Sequence, residues 1–450
     1  MRILHTSDWH LGRTFHGLPL EAAHAAFMDH LVELVRSEHV DAVLVSGDVY
    51  DRAVPPTDSV RLLDETLRRL SERTRVVLTP GNHDSARRLG FASGLLREGL
   101  VIQARTDTVD RAVVLPDADG AAGALVYALP YLDPDTARAH LPRLLAERLG
   151  EQGEMSAQEG DEGTAGLPRV ARSHEAVVCG ALRLVASDLA ARRAATSVRA
   201  PAIVMAHAFV SPAGTGDGGP SDGEDGPQTT ESERDIRVGG VDLVPSQVFA
   251  TLGGSCLAAR SGGVDYVALG HLHRPQAVNL PASVRQEAAA AGRALPVLRY
   301  SGSPLPFSFS EAPFAKSSVL IELGANGVGS TVLIDAPAPH RIATVHGTLD
   351  ELLSPRYDAL TDAWLRVELT GAHTVDAMAR LKQRFPHILA LSRVLPAQQP
   401  RERVVVTRRA DPVEVGDQFL AAVGGRRPSE DESRVLREAY EAALAADRNL

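Results

Sequence analysis

The chain has 450 residues, 44% of them hydrophobic and 23% charged, a soluble globular composition that predicts two or three domains with substantial cores. No stretch approaches the ~20 consecutive apolar residues of a membrane-spanning helix. The formal net charge of −10 argues at first against nucleic acid, yet residues 151–163 hold five acids and no base, and residues 211–233 hold six acids and no base. Outside those two tracts 46 acids stand against 47 bases, so the total does not forbid a basic DNA-binding face.

In chain order, an apolar run at 2–6 ends just before Asp8. Residues 21–39 space Phe27, Leu31, Leu34 and Val35 as a helix, and 40–46 form the continuous, β-branched run of a strand buried on both faces. A second helix over 57–72 repeats Val60, Leu63, Leu67 and Leu70, and 75–79 is the next strand. Further strands are expected near 124–129, 202–206 and 264–269, the βαβ grammar of a mostly parallel sheet. Strands near 297–301 and 317–323, with no helix evident between them, predict a second sheet and hence an α/β sandwich. Residues 211–230, rich in Gly, Ser, Pro and Asp, read as a mobile surface loop, and 150–173 is similar.

The Ala-Pro-Ala-Pro stretch at 336–339 marks a boundary. A small α+β domain over 340–400 follows, with strands at 341–347, 363–369 and 388–394 and helices near 349–353 and 374–385. Two short amphipathic helices, 412–423 and 429–447, complete a tail beginning at 411. The domains are therefore expected at 1–336, 340–400 and 411–450. Cys179 and Cys256 offer neither a disulfide framework nor a cysteine-based zinc site. With no apolar N-terminal run and cleavage site, the expected compartment is the cytoplasm.

Five segments place hard or imidazole ligands just after a predicted strand: Asp8 and His10; Asp48; Asn82, His83 and Asp84; His207; and His271 with His273. In an open α/β sheet the carboxyl ends of parallel strands converge on one crevice. Asp8, His10, Asp48, Asn82, His207, His271 and His273 are too many ligands for one ion and suit two. An oxygen and nitrogen set without sulfur favours manganese or iron, admits zinc and disfavours calcium. A carboxylate such as Asp48 can bridge two cations, and a cation pair suits phosphoester hydrolysis. Each fragment alone reads as a capped turn or a core histidine; the signal is their joint order.

That order resembles the calcineurin-like dimetal phosphoesterases. The run 5–12 (HTSDWHLG), with 231–245, 269–276 and 299–311, is similar more narrowly to the bacterial SbcD nuclease subunits, partners of the ATPase SbcC. The resemblance is dense over residues 1 to about 325 and holds in outline beyond. It implies a calcineurin-like metallophosphoesterase sandwich with a small capping domain and a helical tail. One ion would be held by Asp8, His10, Asp48 and His273, the other by Asp48, Asn82, His207 and His271, both most simply manganese. His83 would sit over the phosphate as general acid or transition-state stabiliser, oriented by Asp84 through its other ring nitrogen. Some distant relatives carry a histidine three positions after the bridging aspartate; here that residue is Asp51, whose role stays unassigned.

The resemblance further implies a nuclease acting on DNA ends, single strands and hairpins in recombination, replication and repair, as a homodimer within a heterotetramer. ATP would be bound by SbcC, since no Gly-x-x-x-x-Gly-Lys-Ser/Thr loop occurs here. The 340–400 domain would guide DNA, with Arg380, Lys382, Arg384, Arg401, Arg403, Arg408 and Arg409 as candidate phosphate contacts beside Arg13 and Arg274. The tail would dock on the SbcC coiled coil. Two rival readings are a generic dimetal phosphatase or cyclic-nucleotide phosphodiesterase, and a non-catalytic DNA-tethering scaffold.

Overall fold

The computed structural model describes residues 1–96, 99–117, 119–150, 167–212, 243–256, 258, 262–338, 340–371, 375–394, 412–424 and 428–447. Two six-stranded mixed sheets lie face to face. The first runs in the order Gly327–Asp335, Ser317–Gly324, Arg2–Thr6, Ala42–Ser46, Arg75–Thr79, Leu100–Ile102. The second runs Gln276–Val278, Val297–Tyr300, Tyr266–Gly270, Ala202–His207, Ala122–Ala128, Val113–Pro116. Each sheet contains four consecutive parallel strands; in the second sheet an antiparallel strand closes either edge, whereas in the first the two antiparallel strands lie at one edge and Leu100–Ile102 closes the other in parallel.

The period of two along each strand divides the core into layers. Ile3, Ala42, Leu44 and Val77 meet Val126, Ile203, Met205 and Ala268 between the sheets. On the opposite face, Leu4, Val43, Val45 and Val76 pack under helices Glu21–Ser37 and Thr57–Ser71. On the outer face of the second sheet, Tyr127, Val204, Val267 and Leu269 pack under helix His174–Ala194. The layers are thus helix, sheet, sheet, helix.

The strands expected at 297–301 and 317–323 form, but not as partners in one new sheet. Val297–Tyr300 pairs with Tyr266–Gly270 in the second sheet, whereas Ser317–Gly324 returns antiparallel to Arg2–Thr6 in the first. The second sheet is therefore built mainly by strands that the βαβ pattern would assign to a single sheet. Helix His174–Ala194 is absent from the sequence expectations. Ten of its 21 residues are buried, so apolar side chains surround much of the helix and no clean amphipathic stripe signals it. Ser173, whose side chain accepts from the Ala176 amide at 3.2 Å, is the available start signal.

Beyond the sandwich, Ile342–Gly347, Trp364–Leu369 and Ile388–Arg393 make a three-stranded parallel sheet over its own core of Leu352, Leu365, Val367, Leu381 and Phe385. A capping box, Thr348 with Glu351, starts its first helix. Phe15, Leu305, Phe307 and Phe309 join Ile342 and Trp364 in one apolar cluster that connects this unit to the sandwich. Helices Pro412–Gly424 and Glu430–Asp447 lie against each other, with Ser433 donating to Asp417 at 2.9 Å. Among the described residues no helix is long and apolar enough to cross a membrane. Of the loop expected at 211–230, Ser211 ends a short strand, Phe209–Ser211, paired with Leu243–Pro245 of the resemblance segment; residues 213–242 and Arg401, Arg403, Arg408 and Arg409 lie outside the described residues.

Because Leu182 is fully buried in helix His174–Ala194, Leu182→Ala is expected to cost about 2–5 kcal/mol. Urea unfolding should show a lower midpoint with an unchanged slope.

Candidate metal centre

The parallel strands of both sheets end on the same side of the sandwich, and the loops that follow them are zipped by backbone hydrogen bonds. The Asp8 amide donates to the Gly47 carbonyl at 3.0 Å, and the His10 amide to the Asp48 carbonyl at 2.9 Å. Across the sheet junction, Ser46 Oγ donates to the Ala268 carbonyl at 3.0 Å. These bonds fix the loop register before any side chain is considered.

The backbone is strained where the polar side chains project. Asp8, His10, Asp48 and His271 have φ of 54°, 46°, 49° and 107°, four of the nine non-glycine residues with positive φ among the described residues. Non-glycine residues there cost about 1–3 kcal/mol each and persist only where the surroundings demand it. Close approach adds a second demand. A Cβ on Gly47 (φ 84°) would fall on the His207 ring, and one on Gly81 would fall on the Asp48 carboxylate and amide.

All seven expected ligands are brought together. His10 Nε2 lies 3.2 Å from His273 Nε2 and 3.6 Å from Asp48 Oδ2. Asp48 Oδ2 is 3.3 Å from His207 Nε2. Asn82 Oδ1 reaches His207 Nε2 at 2.9 Å and His271 Nδ1 at 3.2 Å. Asp8 offers an oxygen within 4.8 Å of ligand atoms of His10 and His273, and likewise of Asp48 and His207. Asp8, His10, Asp48, His207 and His273 are buried.

Outer partners set the direction of the rings. His207 Nδ1 pairs with the Ser46 carbonyl at 2.9 Å, and His273 Nδ1 faces Glu311 Oε1 at 3.7 Å. His10 Nδ1 faces Asp51 Oδ1 at 3.7 Å. His207 is held from behind by a hydrogen bond and His273 faces a carboxylate, each with Nε2 turned into the pocket, the arrangement used to orient metal-binding imidazoles, whereas His10 Nδ1 is buried without a hydrogen bond. Asp8 itself accepts from the His271 amide at 3.0 Å.

Protonation is pulled in opposing directions. Burial raises the Asp8 carboxyl to about 6 despite the nearby histidines. Burial would also raise Asp48, but His207, His10 and His83 outweigh it and hold that carboxyl well below the usual range. His207, disfavoured as a cation by burial, is nevertheless raised to about 9 by Asp48 and Asp8. Burial lowers His271 to about 3, with His207 adding to the effect, and holds His10 well below an ordinary histidine. Two carboxylates and four imidazoles cannot all keep their ordinary protonation in so dry a pocket. Divalent cations would satisfy every lone pair at once, and two imidazole nitrogens 3.2 Å apart are spaced as neighbours on one cation. The residues present therefore fit divalent metal ions.

His83 reaches the same pocket, within 4.8 Å of ligand atoms of His10 and Asp48, and its ring stands edge-on to His10 with centroids 4.8 Å apart. The expected partnership with Asp84 is corrected. His83 Nδ1 meets the Asp51 carbonyl at 2.9 Å. The Asp84 carboxylate is occupied by three backbone amides, those of Val49, Tyr50 and Gly81, at 3.0, 2.9 and 2.9 Å. Burial and the charge of Asp48 raise Asp84 to about 6 against those bonds. Asp84 fastens the Asp48 and Asn82 loops together; it does not orient the imidazole.

Residues 1–122 match the calcineurin-like phosphoesterase family, and residues 338–424 match the type 5 capsule protein repressor C-terminal domain. The SbcD component of the SbcCD nuclease of Rhodobacter capsulatus is 35% identical over 79% of this chain and 75% of its own. That of Bacillus subtilis is 30% identical over 97% of each chain, and that of Escherichia coli is 26% identical over 91% of this chain and 89% of its own. The chain belongs to the SbcD family. Its fold is the calcineurin-like metallophosphoesterase sandwich, followed by the C-terminal unit of that family.

Around the SbcD-type centre, other residues singled out in the sequence find their places. Trp9 is core: fully buried, it donates to Thr6 at 3.0 Å and packs edge-on to Phe27. Three arginines lie over phenylalanine rings of one segment: Arg13 over Phe307 at 4.7 Å, Arg366 over Phe309 at 4.9 Å and Arg274 over Phe314 at 4.1 Å. Arg13 also binds Asp51 at 3.2 Å. Arg384 is spent on the Leu353 carbonyl and Asp358, so it is not the open phosphate contact expected from its helix position. Arg380 reaches Asp350 at 4.0 Å. Asp51, Phe307, Glu311 and Lys316 also contribute to the site and are not evident as contributors from ligand spacing; Glu311 ends a segment that the family resemblance already marks.

Gly81→Ala is expected to displace Asp48 and to lower bound manganese at equimolar supply by at least about tenfold, with a native far-ultraviolet circular dichroism spectrum. Metal analysis after gel filtration checks this; a full metal load would contradict the packing argument.

Proposed function

We propose that the chain is the nuclease subunit of an SbcCD-type assembly, hydrolysing DNA phosphodiesters with two divalent ions, manganese in the cell. The observation that carries the reading is the convergence of seven oxygen and nitrogen ligands at the strand ends, in a chain that aligns over 97% of its length with the SbcD component of an SbcCD nuclease. The first ion is assigned to Asp8, His10, Asp48 and His273, and the second to Asp48, Asn82, His207 and His271. Bound divalent ions supply a clamp on the phosphate oxygens and acidify water enough for attack near neutral pH.

The chain's own groups supply the rest. Asp48, near both sets of ligands, spans the two positions. His83 spends Nδ1 on the Asp51 carbonyl, which leaves Nε2 to stabilise the phosphate or hand a proton to the departing oxygen. Arg274, held over Phe314, and Arg13, held over Phe307 and paired with Asp51, would meet backbone phosphates. The domain boundaries follow from the same reading: a phosphoesterase unit over 1–336, a capping unit over 340–400 that guides DNA, and a partner-binding segment over 411–450.

The tail supports the partner assignment. Phe419, Leu420 and Val435 are 65%, 41% and 58% exposed, although the two helices pack on each other. An apolar face left open on a helix pair fits helix-on-helix docking, here on the coiled coil of an SbcC-type ATPase that binds the ATP. A homodimer of the nuclease within a heterotetramer, a cytoplasmic location and a role in recombination, replication and repair complete the proposal.

The direct test is purified protein on a hairpin-ended duplex, with and without manganese, ATP and the partner ATPase, beside small phosphodiesters. DNA cleavage that needs manganese is expected; turnover of small diesters alone would favour a generic phosphodiesterase. His83→Ala should lose at least about 100-fold in rate while retaining its manganese, and full activity would remove its role. Deleting residues 411–450 should abolish co-purification with the ATPase and spare manganese-dependent hydrolysis; retained co-purification would contradict the tail assignment.

A further inference from the structure

Residues 300–316 wrap the metal centre and touch most of the loops that build it. Tyr300 Oη donates to the Ala208 carbonyl at 2.8 Å and accepts from the Val210 amide at 2.7 Å, bracing the chain just after His207. Ser301 Oγ meets Ser7 Oγ at 2.8 Å, beside Asp8. The Phe307 ring lies edge-on to both His10 and His273, at 5.1 and 5.2 Å between centroids. Near the end of this strap sits an ion pair taken out of water: the side chains of Glu311 and Lys316 are 0% and 6% exposed.

A buried ion pair is a poor stabiliser in its own right, because desolvation of both charges offsets their attraction. This one is fully satisfied, and its bonds point at one loop. The Lys316 ammonium has three donors and three acceptors: Glu311 Oε2 at 2.5 Å, Ser303 Oγ at 2.9 Å and the His273 carbonyl at 2.9 Å. Glu311 in turn accepts from the Phe307 amide at 3.2 Å and from Ser308 Oγ at 3.1 Å, and Oε1 faces His273 Nδ1 at 3.7 Å. His273 is thus approached twice, by the carboxylate at its ring and by the ammonium at its backbone. The choice of lysine carries information. Only two of the chain's 47 basic residues are lysines, Lys316 and Lys382; the other 45 are arginines. A planar guanidinium could not gather three acceptors around one point as a compact ammonium does.

We propose that Glu311 and Lys316 are a positioning pair for divalent-ion binding: Glu311 fixes the tautomer and direction of the His273 ring through Nδ1, and Lys316 fixes the loop backbone that carries it. The proposal rests on the reading of His273 as a metal ligand and adds that the strap, outside the ligand set, governs the affinity of that position. The carboxylate keeps the proton on Nδ1 and so leaves the Nε2 lone pair for a cation.

The experiment is calorimetric titration of manganese into the metal-free full-length protein, with the thermal midpoint of each metal-free variant recorded alongside. Wild type is expected to take up two ions. Glu311→Gln should weaken one of the two by about 10–100-fold. Glu311→Gln/Lys316→Met removes the ammonium that the single change leaves uncompensated. It should melt near wild type without metal and still show the loss. His273→Ala should weaken the same ion, and adding Glu311→Gln to it should cost nothing further, because the carboxylate acts through that ring. Normal affinity in the neutral double variant, or losses from Glu311→Gln and His273→Ala that multiply, would overturn the proposal while leaving the metal centre intact. A wild-type protein that binds no manganese would overturn the metal reading and this inference with it.

Discussion

Asp48 is a carboxylate with almost no access to water, placed where two sheets meet. Burying such an anion costs several kcal/mol unless charge and hydrogen bonds compensate it. The surroundings are organised as that compensation: His207 and His10 approach one oxygen at 3.3 and 3.6 Å, and the His83 amide donates to the other at 2.9 Å. Space around it is equally constrained. The glycines at 47 and 81 keep side chains away from His207 and from Asp48 itself, and Asp84 clasps the two loops from behind through three amides. Phosphoester chemistry in this family follows from that arrangement, since a pocket that gathers imidazoles around a buried carboxylate is also one suited to divalent cations.

The parts legible in the sequence are those governed by local rules. The strand Ala42–Ser46 announces itself because both of its faces are covered, so its residues are uniformly apolar up to Ser46. The ligands announce themselves because hard side chains follow such runs directly. What depends on distant partners is hidden. Nothing local in Ser317–Gly324 tells that it returns to pair with Arg2–Thr6, more than three hundred residues away in sequence. Helix His174–Ala194 is covered on too many sides to show a stripe. Strand Gly327–Asp335 opens with Gly-Val-Gly-Ser and then carries Val332 and Leu333 exposed side by side, so no period-two alternation announces it. Asp84 misleads because its partners are backbone amides, which no side-chain pattern reveals.

The same contrast applies to the segment that braces the centre. Its serines, prolines and phenylalanines look like an ordinary loop, yet they connect two levels of the molecule. Phe307 stands against His10 and His273, while Phe309, two residues on, packs at 4.9 Å on Phe15, which in turn lies 5.6 Å from Trp364 of the C-terminal unit. A short apolar bridge therefore runs from the ligand rings to the neighbouring unit, with Arg366 lying over the same Phe309 ring.

The left-handed backbone at Asp8, His10, Asp48 and His271 has an evolutionary corollary. Each of these positions would be more comfortable as glycine or, at His271, in a relaxed extended conformation, and each is kept otherwise by the need for a donor atom. A descendant that abandoned hydrolysis and kept only the scaffold would be released from that tension. Such a lineage should drift first at these four positions, trading ligands for glycine, and should gain heat resistance as it loses chemistry.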